Sequence, residues 1–148
     1  MAPEPASPAA PATARSGVHP VIALEGIGPV FADKLQKQGI RDTAQLLAGD
    51  AAALAGQVGA PVATVRHWQA MADLVRVAGI GPQYAEALVR SGVTSTADLL
   101  RRDPAELTRQ VTAYLASLKT KVLGQPVTEP RIQAWQQAAR GVLTRARP

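Results

Sequence analysis

Apolar residues recur along this chain at three- and four-residue spacing. From Pro61 onward Val62, Val65, Trp68, Ala72 and Val75 follow that rhythm. It is the period of one helix face, and it predicts the longest clear helix, running on to Gly79. After Pro29, the residues Phe31, Ala32 and Leu35 share a face; after Pro82, Tyr84, Ala85 and Leu88 do the same. Asp103-Pro104 reads as a further helix start with Glu106 in its first turn, and Leu107, Val111, Tyr114, Leu115 and Leu118 supply its stripe. A last helix is expected over 130–143. Residues 18–24 have room only for a short helix with Pro20 in its first turn.

Glycine and proline divide these segments. Gly39 and Gly92 are natural left-handed caps. Thr43 and Thr96 are expected to cap short helices carrying Leu46 and Leu47, and Leu99 and Leu100. Gly49-Asp50 breaks the chain, and Asp50 starts a helix bearing Leu54 and Val58. Gly59-Ala60-Pro61 is the next break, and Gly124, Pro126 and Pro130 form another.

The pattern is stated twice. Leu24-Glu25-Gly26-Ile27-Gly28-Pro29-Val30-Phe31-Ala32-Asp33-Lys34-Leu35 returns 53 positions later as Val77-Ala78-Gly79-Ile80-Gly81-Pro82-Gln83-Tyr84-Ala85-Glu86-Ala87-Leu88. Gly39-Ile40 answers to Gly92-Val93, Thr43 to Thr96, and Leu46-Leu47 to Leu99-Leu100. Such register marks an internal duplication. Val65-x-x-Trp68 and Ile132-x-x-Trp135 also correspond, now 67 positions apart, so the second copy is about 14 residues longer. Two glycines around one apolar residue make a short turn, and Pro29 and Pro82 suit the first position of a helix. Ile27 and Ile80 are expected to turn back and pack, while small Ala32 and Ala85 permit close helix crossing. The tryptophans read as core anchors, with base stacking as the alternative.

Each phrase resembles the helix-hairpin-helix motif: an apolar residue, a spacer, Gly-h-Gly, three residues, then Ala. The tandem form is similar to double helix-hairpin-helix domains of DNA repair and processing proteins. The fuller wording most resembles a bacterial branch of that superfamily, of the DUF4332 type. The resemblance covers roughly 21–143. It implies an all-α fold of tandem helix-hairpin-helix units related by a pseudo-twofold, a bundle of the SAM-like, 5'-exonuclease type. Residues 18–148 then form the domain, with unit one over 18–74, unit two over 61–148, and the 61–78 helix shared.

Composition narrows the classes. The chain has 148 residues, a net charge of +5 and no cysteine. Disulfides, zinc fingers and thiol chemistry are therefore excluded. Residues 1–17 are nearly all Ala, Pro, Ser and Thr and are expected to be a disordered tail. That tail lacks the apolar segment of an export signal, and no run is apolar enough to span a bilayer. A soluble cytoplasmic protein is expected. Residues 21–74 hold four basic and five acidic side chains, while 75–148 hold eleven basic and five acidic. A polyanion is expected to prefer the second half.

No catalytic constellation is legible. His19 and His67 are the only histidines, and they share no ligand spacing. His67 reads as a partly exposed helix residue. Asp33 and Glu86 are expected in the first turn after each hairpin, serving the helix dipole. Gly26-x-Gly28-x-x-x-Ala32 also imitates a dinucleotide fingerprint, but that requires a preceding buried strand, and this chain reads helical. No enzyme activity, cofactor or metal is expected.

What the resemblance implies instead is phosphate binding. A turn that opens a helix offers free amides and a favourable dipole to an anion. The implied donors are Gly26, Gly28 and Val30 in the first unit and Gly79, Gly81 and Gln83 in the second. Lys34, Lys37, Arg76 and Arg90 are the nearby cations, and a continuous positive patch including Arg76 and Arg90 is expected around 79–83. The expected partner is nucleic-acid backbone, DNA rather than RNA, gripped without sequence reading. Asp33 and Glu86 are expected near the phosphate, and Val30 and Gln83 stand where family members often carry Lys, Arg or a small hydroxyl. The alternative is a protein-interaction or scaffolding domain that keeps the hairpins for structure.

Overall fold

The structure is a computed structural model describing residues 17–118 and 126–146. Of the predicted tail, residues 1–16 lie outside the described residues, as does the Gly124 break. The fold is all-α. A 3-10 turn at Val21–Ala23 precedes α1 (Pro29–Lys37), α2 (Thr43–Ala48), α3 (Ala51–Val58), α4 (Val62–Leu74), α5 (Pro82–Arg90), α6 (Thr96–Arg101), α7 (Pro104–Ser117) and α8 (Glu129–Ala146). No strand occurs among the described residues; a single antiparallel bridge joins Pro20 to Asp42.

Two sets of contacts build the body. Helix α1 packs on α3, and α2 and α3 both pack on α4; α5 packs on α7, and α6 and α7 both pack on α8. The α4–α5 contact joins the two sets. The core runs through both. Leu24, Ile27, Leu35, Leu46 and Trp68 are buried in one, and Val77, Ile80, Leu88, Leu99 and Trp135 in the other. Both tryptophans are core residues, as expected, at 1% and 3% exposed. Burying such apolar surface is the main stabilising term of the fold.

The structure corrects several boundaries. Thr43 and Thr96 do not cap. The caps are one residue earlier, where the Asp42 side chain accepts from the Gln45 amide and the Ser95 hydroxyl from the Asp98 amide. A β-region cap must precede the first helical residue, and the two threonines are already inside, buried. Their hydroxyls make tertiary bonds instead: Thr43 Oγ1 accepts from the His19 amide at 3.1 Å, and Thr96 Oγ1 donates to the Asp73 carbonyl at 3.0 Å.

Helix α4 ends at Leu74, short of the predicted Gly79. Residues 75–79 leave the helix through turn bonds, Val77 N to Leu74 O and Ile80 N to Val77 O, both at 3.0 Å. The helix expected over 61–78 is thus 62–74, and at 13 residues it is shorter than α7 with 14 and α8 with 18. Helix α8 begins one residue before Pro130 and continues past Leu143. Pro20 precedes the 3-10 turn rather than sitting in it. Asp33 and Glu86 fall at the fifth residue of α1 and α5, beyond the first turn, which carries no acid in either helix.

Candidate functional site

The two glycine corners follow the same backbone path. Gly26 and Gly79 take φ of 91° and 93°, a region where only glycine is at ease. Gly28 and Gly81 are extended, with φ and ψ of −86° and −176° and of −84° and 179°. Each leads into a nine-residue helix begun by proline. The Ala32 amide donates to Gly28 O at 2.9 Å and the Ala85 amide to Gly81 O at 2.8 Å. Among the described residues no protein group accepts from the amides of Gly26, Gly28 and Val30, nor from those of Gly79, Gly81 and Gln83. These are the orphan donors of a helix start.

A tryptophan lies beneath each corner. A side-chain carbon at Gly26 would stand 3.6 Å from Trp68 Nε1, and one at Gly79 only 3.1 Å from Trp135 Nε1. The rings are held by the aromatic of the following helix. Phe31 meets Trp68 edge-on at 5.1 Å between centroids, and Tyr84 meets Trp135 at 5.3 Å. Sequence reasoning found the tryptophans but not their placement against the glycines.

The surroundings of the corners differ. The second borders a cavity of about 390 Å³ lined by Ala23, Glu25, Gly79, Gly81, Pro82, Gln83 and Tyr84. The Arg131 guanidinium lies over the Tyr84 ring at 4.6 Å and is 5.7 Å from the Trp135 ring. Arg131 was not legible as a site residue, although the 67-residue offset pairs it with Thr64 of the first copy. The first corner borders a cavity of about 460 Å³ between the two helix sets, lined by Glu25, Gly26, Ala63, Thr64, His67, Trp68, Glu86 and Arg90.

The expected positive patch is not assembled from Arg76 and Arg90. Arg76 Nη1 is held by Asp73 at 2.6 Å and Arg90 Nε by Glu86 at 2.8 Å. Bonding and charge from Glu86 also raise the pKa of Arg90. After the first corner Lys37 pairs with Asp33 at 3.2 Å, and Lys34 Nζ donates to Val58 O at 3.4 Å. Short i,i+3 and i,i+4 spacings thus neutralise Lys37, Arg76 and Arg90 locally.

Glu86 is likewise not beside the second corner. Its other oxygen accepts from His67 Nε2 at 2.8 Å, with the two side chains 12% and 24% exposed. A carboxylate only accepts, so Nε2 carries the imidazole proton. Burial, then the Glu86 charge, push the Tyr114 phenol up, with Glu25 adding to the effect. This polar cluster ties α4 to α5. The carboxylate that does border the second corner is Glu25, from the first copy.

Among the described residues no group of three or more His, Asp or Glu is placed to hold a metal ion. No helix there is long and apolar enough to cross a membrane. No curated protein and no solved structure gives a significant match to the chain. The model of one family does match, over residues 25–142, a span that takes in both corners and both tryptophans. The chain therefore belongs to the family described as Domain of unknown function (DUF4332).

Proposed function

We propose that the two corners are the hairpins of tandem helix-hairpin-helix units, and that the chain is a non-enzymatic module binding the phosphate backbone of nucleic acid, DNA before RNA, in the cytoplasm of a bacterium. The observation that carries this reading is the set of unaccepted amides at Gly81 and Gln83, opening α5 beneath an unobstructed surface. Amides and dipole at a helix start favour an anion. Arg131, on the face of Tyr84, takes the cationic role first expected of Arg76 and Arg90. Contacts of this kind grip phosphate without reading base edges.

The first corner supports a second reading, protein docking. Val30 is 66% exposed and Ile22 50%, and they are the exposed large hydrophobic residues of the described structure. Both belong to the first copy, whose charge balance is slightly acidic. On this view the second corner holds nucleic acid and the first meets a protein.

The test is a titration of labelled duplexes of several sequences with purified protein at stepped salt. Binding is expected to be equal among sequences and to weaken steeply with salt, because phosphate contacts release counterions. Binding at low salt no stronger than that of an unrelated basic protein ends the nucleic-acid reading.

A further inference from the structure

Glu25 is unlike the other carboxylates near the corners. Asp73, Glu86 and Asp33 each hold a cation. Glu25 is exposed and has no hydrogen-bond or ion-pair partner among the described residues. It belongs to the first corner but lines the cavity of the second, alongside Gly79, Gly81, Gln83 and Tyr84. The relation is one-sided, since the position corresponding to Glu25 in the second copy is Ala78.

A further donor lies behind Gly79, beneath the cavity wall. Trp135 is 3% exposed, and its Nε1 lies 3.1 Å from where a side chain of Gly79 would begin. Among the described residues no acceptor takes that indole N–H. A buried donor without a partner costs free energy unless a ligand or water meets it. It faces the same glycine that lines the cavity. The cavity therefore presents the amides of Gly79, Gly81 and Gln83 to an acceptor, with one carboxylate that has no ion-pair partner among the described residues at its edge.

We propose that Glu25 tunes which anion the second corner accepts, disfavouring doubly charged phosphate groups more than a singly charged phosphodiester. The proposal rests on the phosphate-binding reading above. Coulomb repulsion is proportional to the ligand's charge. If the carboxylate weakens binding of a monoanion by some factor, it weakens binding of a dianion by about the square of that factor. For an exposed group the factor is modest, roughly two- to fivefold. Internal backbone phosphates carry one charge, whereas a terminal phosphomonoester carries nearly two above its second pKa of about 6. Glu25 thus biases the corner toward the interior of a strand and away from phosphorylated ends and free phosphate.

The test uses the whole chain at pH 8 and two small probes, dimethyl phosphate as the monoanion and inorganic phosphate as the dianion. Amide shifts of Gly81 and Gln83 report binding of each by NMR. Glu25→Gln is expected to tighten dimethyl phosphate roughly two- to fivefold and inorganic phosphate by about the square of the same factor. Glu25→Asp is expected to keep the wild-type preference. Equal changes for both probes, or no change, overturn the role of Glu25. If the probes behave as expected but duplex DNA does not bind, the selectivity stands and the nucleic-acid reading falls. If neither probe moves these amides, both fall.

Discussion

The two glycine corners share a backbone and differ in nearly everything placed upon it. Their φ values agree within a few degrees, and each has a proline-led helix ahead and an indole beneath. Above that common frame, Val30 stands where the second corner has Gln83, Glu25 where it has Ala78, and Thr64 where it has Arg131. The support repeats as well. Gln69 Nε2 donates to Leu46 O and Gly49 O at 3.0 and 2.9 Å, and Gln136 Nε2 donates to Leu99 O and Arg102 O at 3.0 and 2.9 Å. Residues that terminate helices and seat the corner are alike, because the backbone leaves little choice. Residues at the rim are free to diverge, and chemistry is read there.

The sharpest way to break the comparison is to place a charge on each corner in turn. A side chain at Gly28 or Gly81 meets no atom within 4 Å, and neither residue has a positive φ. Gly81→Glu is therefore expected to fold and to lose duplex binding by at least about 100-fold, since a carboxylate would occupy the anion position. Gly28→Glu is expected to bind within about threefold of wild type. Equal losses in the two duplex titrations would show that both corners grip the backbone.

Stability is expected to separate the corners next. Gly26→Ala forces a side chain into a left-handed conformation, for roughly 1–2 kcal/mol. Gly79→Ala adds a contact tighter than ordinary packing with the Trp135 ring, bringing its cost to roughly 2–4 kcal/mol. Urea unfolding of the two variants should give that order. The glutamines should restore the symmetry. Gln69→Leu and Gln136→Leu each strand one carbonyl, of Gly49 or Arg102, and leave Leu46 O or Leu99 O with its backbone donor alone, and both are expected to cost about 1–3 kcal/mol by the same assay. A large difference between them would mean that the supports are not equivalent.

Acid should give the smallest difference. The Arg41 amide is held by Gln45 Oε1 at 2.7 Å, and the corresponding Thr94 amide by Asp98 Oδ2 at 3.0 Å. Only Asp98 titrates. The bond from Arg102 comes first among the causes that lower its pKa, despite opposing burial. Its contribution is full above the ordinary carboxylate value, about 3.9, and is lost as pH falls through the lowered folded value. His19, in the first half, is held below its ordinary value by burial. The unfolded chain then takes up a proton more readily, so stability falls as pH drops below about 6.5 toward the folded value. Hydrogen exchange is expected to show the first half loosening at mild acidity and the second only below about pH 4.

The fold was legible where a local rule had a single solution. Helical periodicity, prolines at Pro29 and Pro82, and glycines at Gly26, Gly39, Gly79 and Gly92 placed the helix starts and the turns. Boundaries failed where two local rules competed. Thr43 and Thr96 are good caps, but so are Asp42 and Ser95, and only burial of the threonines decides between them. Apolar spacing from Val62 runs on to Val75, past the last helical residue, so nothing in it announces the end of α4 at Leu74.

The site was half legible for the same reason. Which amides lack partners follows from the order of glycine, proline and helix, because that is a property of consecutive backbone. Which partners the cations find does not. Arg76 and Arg90 looked free until folding set Asp73 and Glu86 against them, while Arg131, far along the chain, came to rest on Tyr84. Sequence alone determined that two corners exist and what their main chain offers. The tertiary structure decided which charges surround them, because Coulomb and contact energies depend on distances through space that chain order does not encode.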